Sequence, residues 1–182
     1  YLVKQLYKSF PNNVEYKNGL AISYEKLAYI NSLLGNLIKS VKSYGESNKL
    51  MKQLYDSFPN NVGFKNGFAI SCEKLGEINL ILQNFDKASY NFSMFLKLSN
   101  ELSVDFPDSS SYQSNFAEAL SINAILKKTN SSHNDLKKAK EIFQSLYLKN
   151  NNPYYKEKIE LIDKMLLPEQ DFIPLILEIS SF

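Results

Sequence analysis

The stretch KQLYKSFPNNVEYKNGLAISYEKL, from Lys4 to Leu27, returns as KQLYDSFPNNVGFKNGFAISCEKL from Lys52 to Leu75 with five substitutions. Phe10-Pro11 becomes Phe58-Pro59 and then Phe106-Pro107, so the chain is a tandem repeat with a period of 48 residues. Repetition at this spacing implies stacked supersecondary units, each burying its apolar face against the next. Inside the repeat, Val14, Leu20, Ala21, Tyr24, Leu27 and Ala28 recur at helical intervals, and Val62, Phe68, Ala69, Cys72, Leu75 and Gly76 follow the same order. Each Phe-Pro step ends a helix, because proline cannot continue the preceding one. Asn12-Asn13, Asn60-Asn61 and Asp108-Ser109 then supply side-chain oxygens suited to cap the next helix. A second break at Gly35-Asn36 and at Gln83-Asn84 divides each repeat into two helices of roughly 20 residues, about 30 Å long.

The pattern predicts a partial helix over 1–10, helix pairs over 14–34 and 37–56, 62–82 and 85–105, and 110–128 and 134–150, and a terminal helix over 153–166 closed by Pro168. The third pair is degenerate, with Thr129 to Asn134 replacing the short turn and placing His133 in a loop. The organisation is one repeat domain over 1–182: a partial unit at 1–10, repeats at 11–58 and 59–106, a degenerate repeat at 107–152, and a capping segment at 153–182. Asp171 to Phe182 is apolar but too short, and too interrupted by Pro174, to span a bilayer, so it reads as a tail capping the stack. Phe10, Phe58 and Phe106 recur in register beside proline and are expected to be buried at the joints between units. Tyr1 to Phe10 matches Lys49 to Phe58, the end of a second helix, so further repeats are expected upstream.

Composition narrows the function classes. The chain has 182 residues, 44% of them hydrophobic, and a formal net charge of +2. All 21 basic residues are lysine. Arginine is the preferred residue for bidentate phosphate and base-edge contacts, so nucleic acid is not the expected partner, and the lysines read as a solvated helix surface. Cys72 stands alone, which excludes an internal disulfide framework, and no apolar run is long enough to cross a membrane; both point to the cytoplasm. One histidine and one cysteine give little to build a catalytic pair or a metal site from, so no catalytic, cofactor-binding or metal residue is expected. Glu25-Lys26 and Glu73-Lys74 are 48 residues apart and read as repeated surface charge. Gly19 and Gly67, inside predicted helices, mark a close approach by a neighbouring helix or by a ligand backbone.

The units resemble tetratricopeptide repeats. The residues that carry the likeness are Phe68-Ala69, Cys72 and Gly76 in the first helix of the second unit, with Ala88 and Phe92 in its second helix. Leu20-Ala21, Tyr24 and Ala28 hold the same places in the first unit, where Ala28 replaces the usual glycine. Phe116-Ala117, Leu120, Ala139 and Phe143 keep the apolar part in the third. The family period is about 34 residues, so the longer unit here suggests that both helices are extended. The likeness implies an all-α, right-handed superhelical solenoid of antiparallel helix pairs. The text Phe-Pro-Asn-Asn-Val and Asn-Gly-Leu-Ala-Ile-Ser-Tyr-Glu-Lys-Leu is similar to repeat arrays of large multidomain bacterial proteins, in which such an array is a sensor or scaffold joined to an effector domain.

That resemblance also implies a concave face lined by first helices. It would expose Glu15, Asn18, Ile22, Glu25, Lys26 and Tyr29 in the first unit, and Asn66, Ile70, Glu73, Lys74 and Glu77 in the second. The third would offer Ser111, Ser114, Glu118, Ser121 and Ile125. Family members that grip a terminal carboxylate use a Lys/Asn/Arg set. Here Asn18 and Asn66 stand where a lysine is needed, and Ile22 and Ile70 where an asparagine is, so that mode is not expected. The expectation is a module binding a peptide or protein, part of a larger protein and not an enzyme. The alternative is a structural spacer or self-assembly element joined through the stack ends.

Overall fold

In a computed structural model, residues 2–127, 132–167 and 172–180 are described. Every regular element among them is an α-helix: Leu2–Ser9 (α1), Val14–Leu33 (α2), Leu37–Ser57 (α3), Val62–Ile81 (α4), Phe85–Asp105 (α5), Ser110–Lys127 (α6), Ser132–Asn150 (α7), Pro153–Met165 (α8) and Phe172–Ile179 (α9). The protein is an all-α helical repeat in which helices pack on their chain neighbours. It divides into two compact units, Tyr1–Asn91 and Phe92–Phe182, the division falling inside α5.

The helix starts follow the capping residues of the sequence. The Asn13 side-chain oxygen accepts from the Tyr16 N–H at 3.0 Å, Asn61 from Phe64 at 3.1 Å, and Ser109 from Tyr112 at 3.4 Å. Asn152 does the same for α8, accepting from Tyr154 at 3.0 Å. The break between the helices of a pair is a left-handed residue: Gly35 has φ of 71° and Gln83 has φ of 58°. Asn36 N–H bonds the Asn31 carbonyl and Gly35 N–H the Ser32 carbonyl, which closes the end of α2 by satisfying two of its last carbonyls.

In the first unit α2 packs on α3 and α3 on α4. Small polar residues let α2 and α3 approach closely: Ser40 and Ser47 of α3 are buried and donate to the Ala28 and Ala21 carbonyls at 2.9 and 2.8 Å. Gly67 serves the same purpose between α3 and α4, since a Cβ there would meet Met51 Sδ at 3.0 Å. Leu20, Ala21, Ala28, Phe68, Ala69 and Cys72 are all buried in this unit. In the second unit Phe92, Phe116, Ala117, Leu120, Ala139 and Phe143 are buried.

Two expectations are corrected. Phe10, Phe58 and Phe106 are exposed, not buried at joints. Each N–H still bonds back into the preceding helix, and the ring leans on an aromatic of the next first turn: Tyr16, Phe64 and Tyr112, at 6.0, 5.8 and 5.6 Å between centroids. The Phe-Pro corner is thus a surface clasp within each turn. His133 lies inside the first turn of α7, exposed, instead of in a loop. The apolar tail is a helix, α9, with Leu175, Ile176 and Ile179 buried and packed against α6 and α8. Pro174 is tolerated because it sits in the first turn, where its missing N–H costs no helical bond. The expected stop at Pro168 and residues 129–131 of the expected turn lie outside the described residues.

Candidate functional site

In the first unit charged groups of α2 and α4 and a tyrosine of α3 act on one another electrostatically. On α4, Lys74 Nζ lies 2.9 Å from Glu77 Oε1 and 3.7 Å from Glu73 Oε1. On α2, partial burial lifts the Glu25 carboxyl above the ordinary glutamate value, while the Lys74 and Lys26 ammonium groups oppose the lift. Tyr44 of α3 reaches the same place from the core side. Burial, and then Glu77, push its hydroxyl up to about 12, with Lys74 acting the other way and Glu25 and Tyr29 adding to the rise. Glu25, Tyr29, Lys74 and Glu77, four of the sequence-derived site residues, therefore share one electrostatic environment.

The remaining expected residues fall into two groups. Ile22, Lys26 and Tyr29 are exposed on α2, and Asn18, Asn66 and Ile70 are part buried. Glu73 is buried. In the second unit Ser114, Glu118, Ser121 and Ile125 of α6 are buried, so the expectation that they face solvent is wrong there. Ser114 Oγ donates to Glu118 Oε1 at 3.1 Å, and the Tyr154 hydroxyl of α8 donates to the same oxygen. Both donors come from within the second unit, so the Glu118 carboxylate is buried and engaged by its own fold. Ser111 and Glu15 remain exposed.

Lys158 of α8 is the feature of this unit that the sequence hides. It is buried, its Nζ donating to the Ile179 and Glu178 carbonyls at 2.5 and 3.1 Å while lying 4.9 Å from the Tyr154 ring centre. The ammonium sits at the C-terminal end of α9, where the helix dipole favours a cation and the last carbonyls need donors.

A cleft of about 410 Å³ in the first unit was also not foreseen; Val41, Leu75, Asn79, Asp86 and Tyr90 line it. The second helices of the two repeats differ at most positions, and Asp86 and Tyr90 stand where the first copy has Ile38 and Lys42. Cys72 offers no nucleophile. It is buried, and burial pushes its thiol up to about 12, against the Asn48 amide that donates to it at 3.2 Å. Among the described residues no helix is long and apolar enough to cross a membrane, and no three His, Cys, Asp or Glu side chains cluster as metal ligands. No family model matches the chain, and neither does any curated protein.

Proposed function

We propose that the chain is a tetratricopeptide-like recognition module, without catalytic activity of its own, whose α2–α4 face in the first unit binds a protein or peptide. The observation that carries this reading is the exposure of Ile22, Lys26 and Tyr29 on α2, beside a Glu25 carboxyl on which the Lys74 ammonium of α4 acts. Exposed Ile22 and Tyr29 lie on the same face of α2. A surface of this kind offers apolar contact area beside charges of both signs. The apolar part supplies affinity, and the Lys74 and Glu77 charges penalise partners that fail to match them. Nucleic acid does not suit it, because the acidic groups would face phosphates. A cytoplasmic scaffold or sensor role within a larger protein belongs to the same proposal.

The test is a pull-down with the whole chain against the Ile22→Asp/Ile70→Asp double variant, with circular dichroism and melting of both. Loss of partner capture with helicity and melting temperature retained supports the reading. Undiminished capture, or unfolding of the variant, overturns the facing assigned here. A spacer or self-assembly element is the competing reading, and exposed Leu33, Leu34 and Ile38 at the α2–α3 corner favour it.

A further inference from the structure

The first and second repeats differ in what covers their first helix. In the second, Ile78 of α4 is only 2% exposed and forms one cluster with Ala28 and Tyr44, onto which Leu37, Val41, Leu75 and Leu82 pack. One period earlier, the equivalents of Leu75, Ile78 and Leu82 are Leu27 and Ile30 of α2 and Leu34, which caps it. These are 48%, 53% and 69% exposed. The residues are of the same apolar type, so what differs is the missing cover and not the chemistry of the face.

The neighbour that α2 does have identifies the missing one. A Cβ on Gly19 would meet Val3 Cγ1 of α1 at 3.6 Å, as one on Gly67 would meet Met51 of α3. Phe10 leans on Tyr16 as Phe58 leans on Phe64. Lys4 Nζ lies 5.9 Å from the Tyr24 ring, and Lys52 acts on the equivalent Cys72. In each comparison the partners are displaced by one period, so α1 lies on α2 in the register of the last turns of α3 on α4. Leu37, Val41 and Tyr44 lie further toward the N-terminus of α3, beyond the part that α1 reproduces.

We propose that Leu27, Ile30 and Leu34 form a docking face for a helix continuing α1 in the N-terminal direction, with Leu, Val and Tyr at the spacing of Leu37, Val41 and Tyr44. A helix in line with α1 arrives in the correct register without a connecting loop. It would extend an interface that the protein already builds once. It rests on the register of α1 against α2 and not on the function proposed above.

The test places the segment LIKSVKSYGESN, the sequence of residues 37–48, directly before Tyr1 of the whole chain. The extended protein should melt about 4 °C or more above the parent, with slowed amide exchange from Leu27 to Leu34. Replacing Leu, Val and Tyr of the added segment by Ser, or Ile30 of α2 by Asp, should remove the gain. No gain from the extension, or an equal gain from the Ser-substituted one, overturns the proposal. It is overturned in favour of a second copy as occupant if the parent is a dimer in size-exclusion chromatography, Ile30→Asp makes it a monomer, and the extension leaves the melting temperature unchanged.

Discussion

Helices α2 and α6 are the same element of the repeat, 96 residues apart, and they live in opposite surroundings. Helix α2 buries only Leu20, Ala21 and Ala28, whereas every residue of α6 from Phe116 to Ile125 is buried. The substitutions between them follow the change of surroundings: Lys26 of α2 corresponds to Ile122, Tyr29 to Ile125, and Glu25 to Ser121. Helix α9 packs on α6, and α8 sends the Tyr154 hydroxyl to Glu118. One sequence template thus yields either an open mixed face or an enclosed apolar one, and a few positions decide which. The open version is the one proposed to bind a partner.

The strongest way to break this comparison is to exchange the deciding residue. Ile122→Lys restores the residue of the other two repeats at a fully buried position, where an ammonium has no water. It should cost about 3 kcal/mol or more, because an uncompensated charge would be buried. Lys26→Ile, the reverse exchange on the exposed side of α2, should change stability by no more than about 0.5 kcal/mol. Urea unfolding midpoints of both variants measure the difference. Similar costs at the two positions would mean that α6 is not enclosed.

A smaller effect tests the polar part of the cover. Tyr154→Phe removes a donor to the buried Glu118 carboxylate while Ser114 still donates to the same oxygen. A hydrogen bond to a charged group is worth about 1.5 to 3 kcal/mol, and the variant should lose stability in that range. Helix α2 offers a control, because its counterpart of Glu118 is the exposed Ile22. Ile22→Ala should be close to neutral in the same assay.

The helix positions of both units are legible because the repeat states each signal more than once. The Asn13, Asn61 and Ser109 caps and the Gly35 break follow directly from local chemistry. Gln83 shows the limit of such reading, since a non-glycine residue holds the left-handed position that Gly35 holds one period earlier, and only the alignment of the repeats reveals it. The burial of Ser114 and Glu118 is not legible. Polar residues on a helix read as solvent-facing, and the element that satisfies Glu118 comes from Tyr154, 36 residues away. Helix α9 is hidden for a related reason: eight residues, nearly all apolar and including Pro174, carry no helical periodicity of their own. The Phe-Pro corners mislead in the other direction, because recurrence in register reflects a local aromatic clasp as readily as a buried joint.

The light cover of α2 by α1 can be probed by filling space. A Cβ on Gly19 would make an ordinary contact with Val3 at 3.6 Å. Gly19→Ala should therefore stabilise the first unit by about 0.5 to 1 kcal/mol through lower chain entropy in the unfolded state and better helix propensity. A loss measured by thermal melting would show that α1 presses on α2 as tightly as α3 presses on α4 at Gly67.

The smallest expected effect concerns the charge that keeps the α2 face open to water. Burial raises the Glu25 carboxyl above its ordinary value of 4.5 by more than Lys74 and Lys26 lower it, so the folded protein holds this proton more tightly than the unfolded chain does. The contribution of Glu25 to stability is therefore greatest below the unfolded value. It declines as pH rises through the folded value, and the loss persists at neutral pH. Glu25→Gln removes the titration. The variant should match the parent near pH 3 and exceed it at pH 7 by roughly a few tenths of a kcal/mol, since the carboxyl is only partly buried and water screens it. Chemical denaturation at the two pH values measures this. A variant less stable than the parent at pH 7 would mean that attraction to Lys74 outweighs desolvation. The open face of α2 would then be held to α4 by an ion pair, with Glu25 already engaged before any partner arrives.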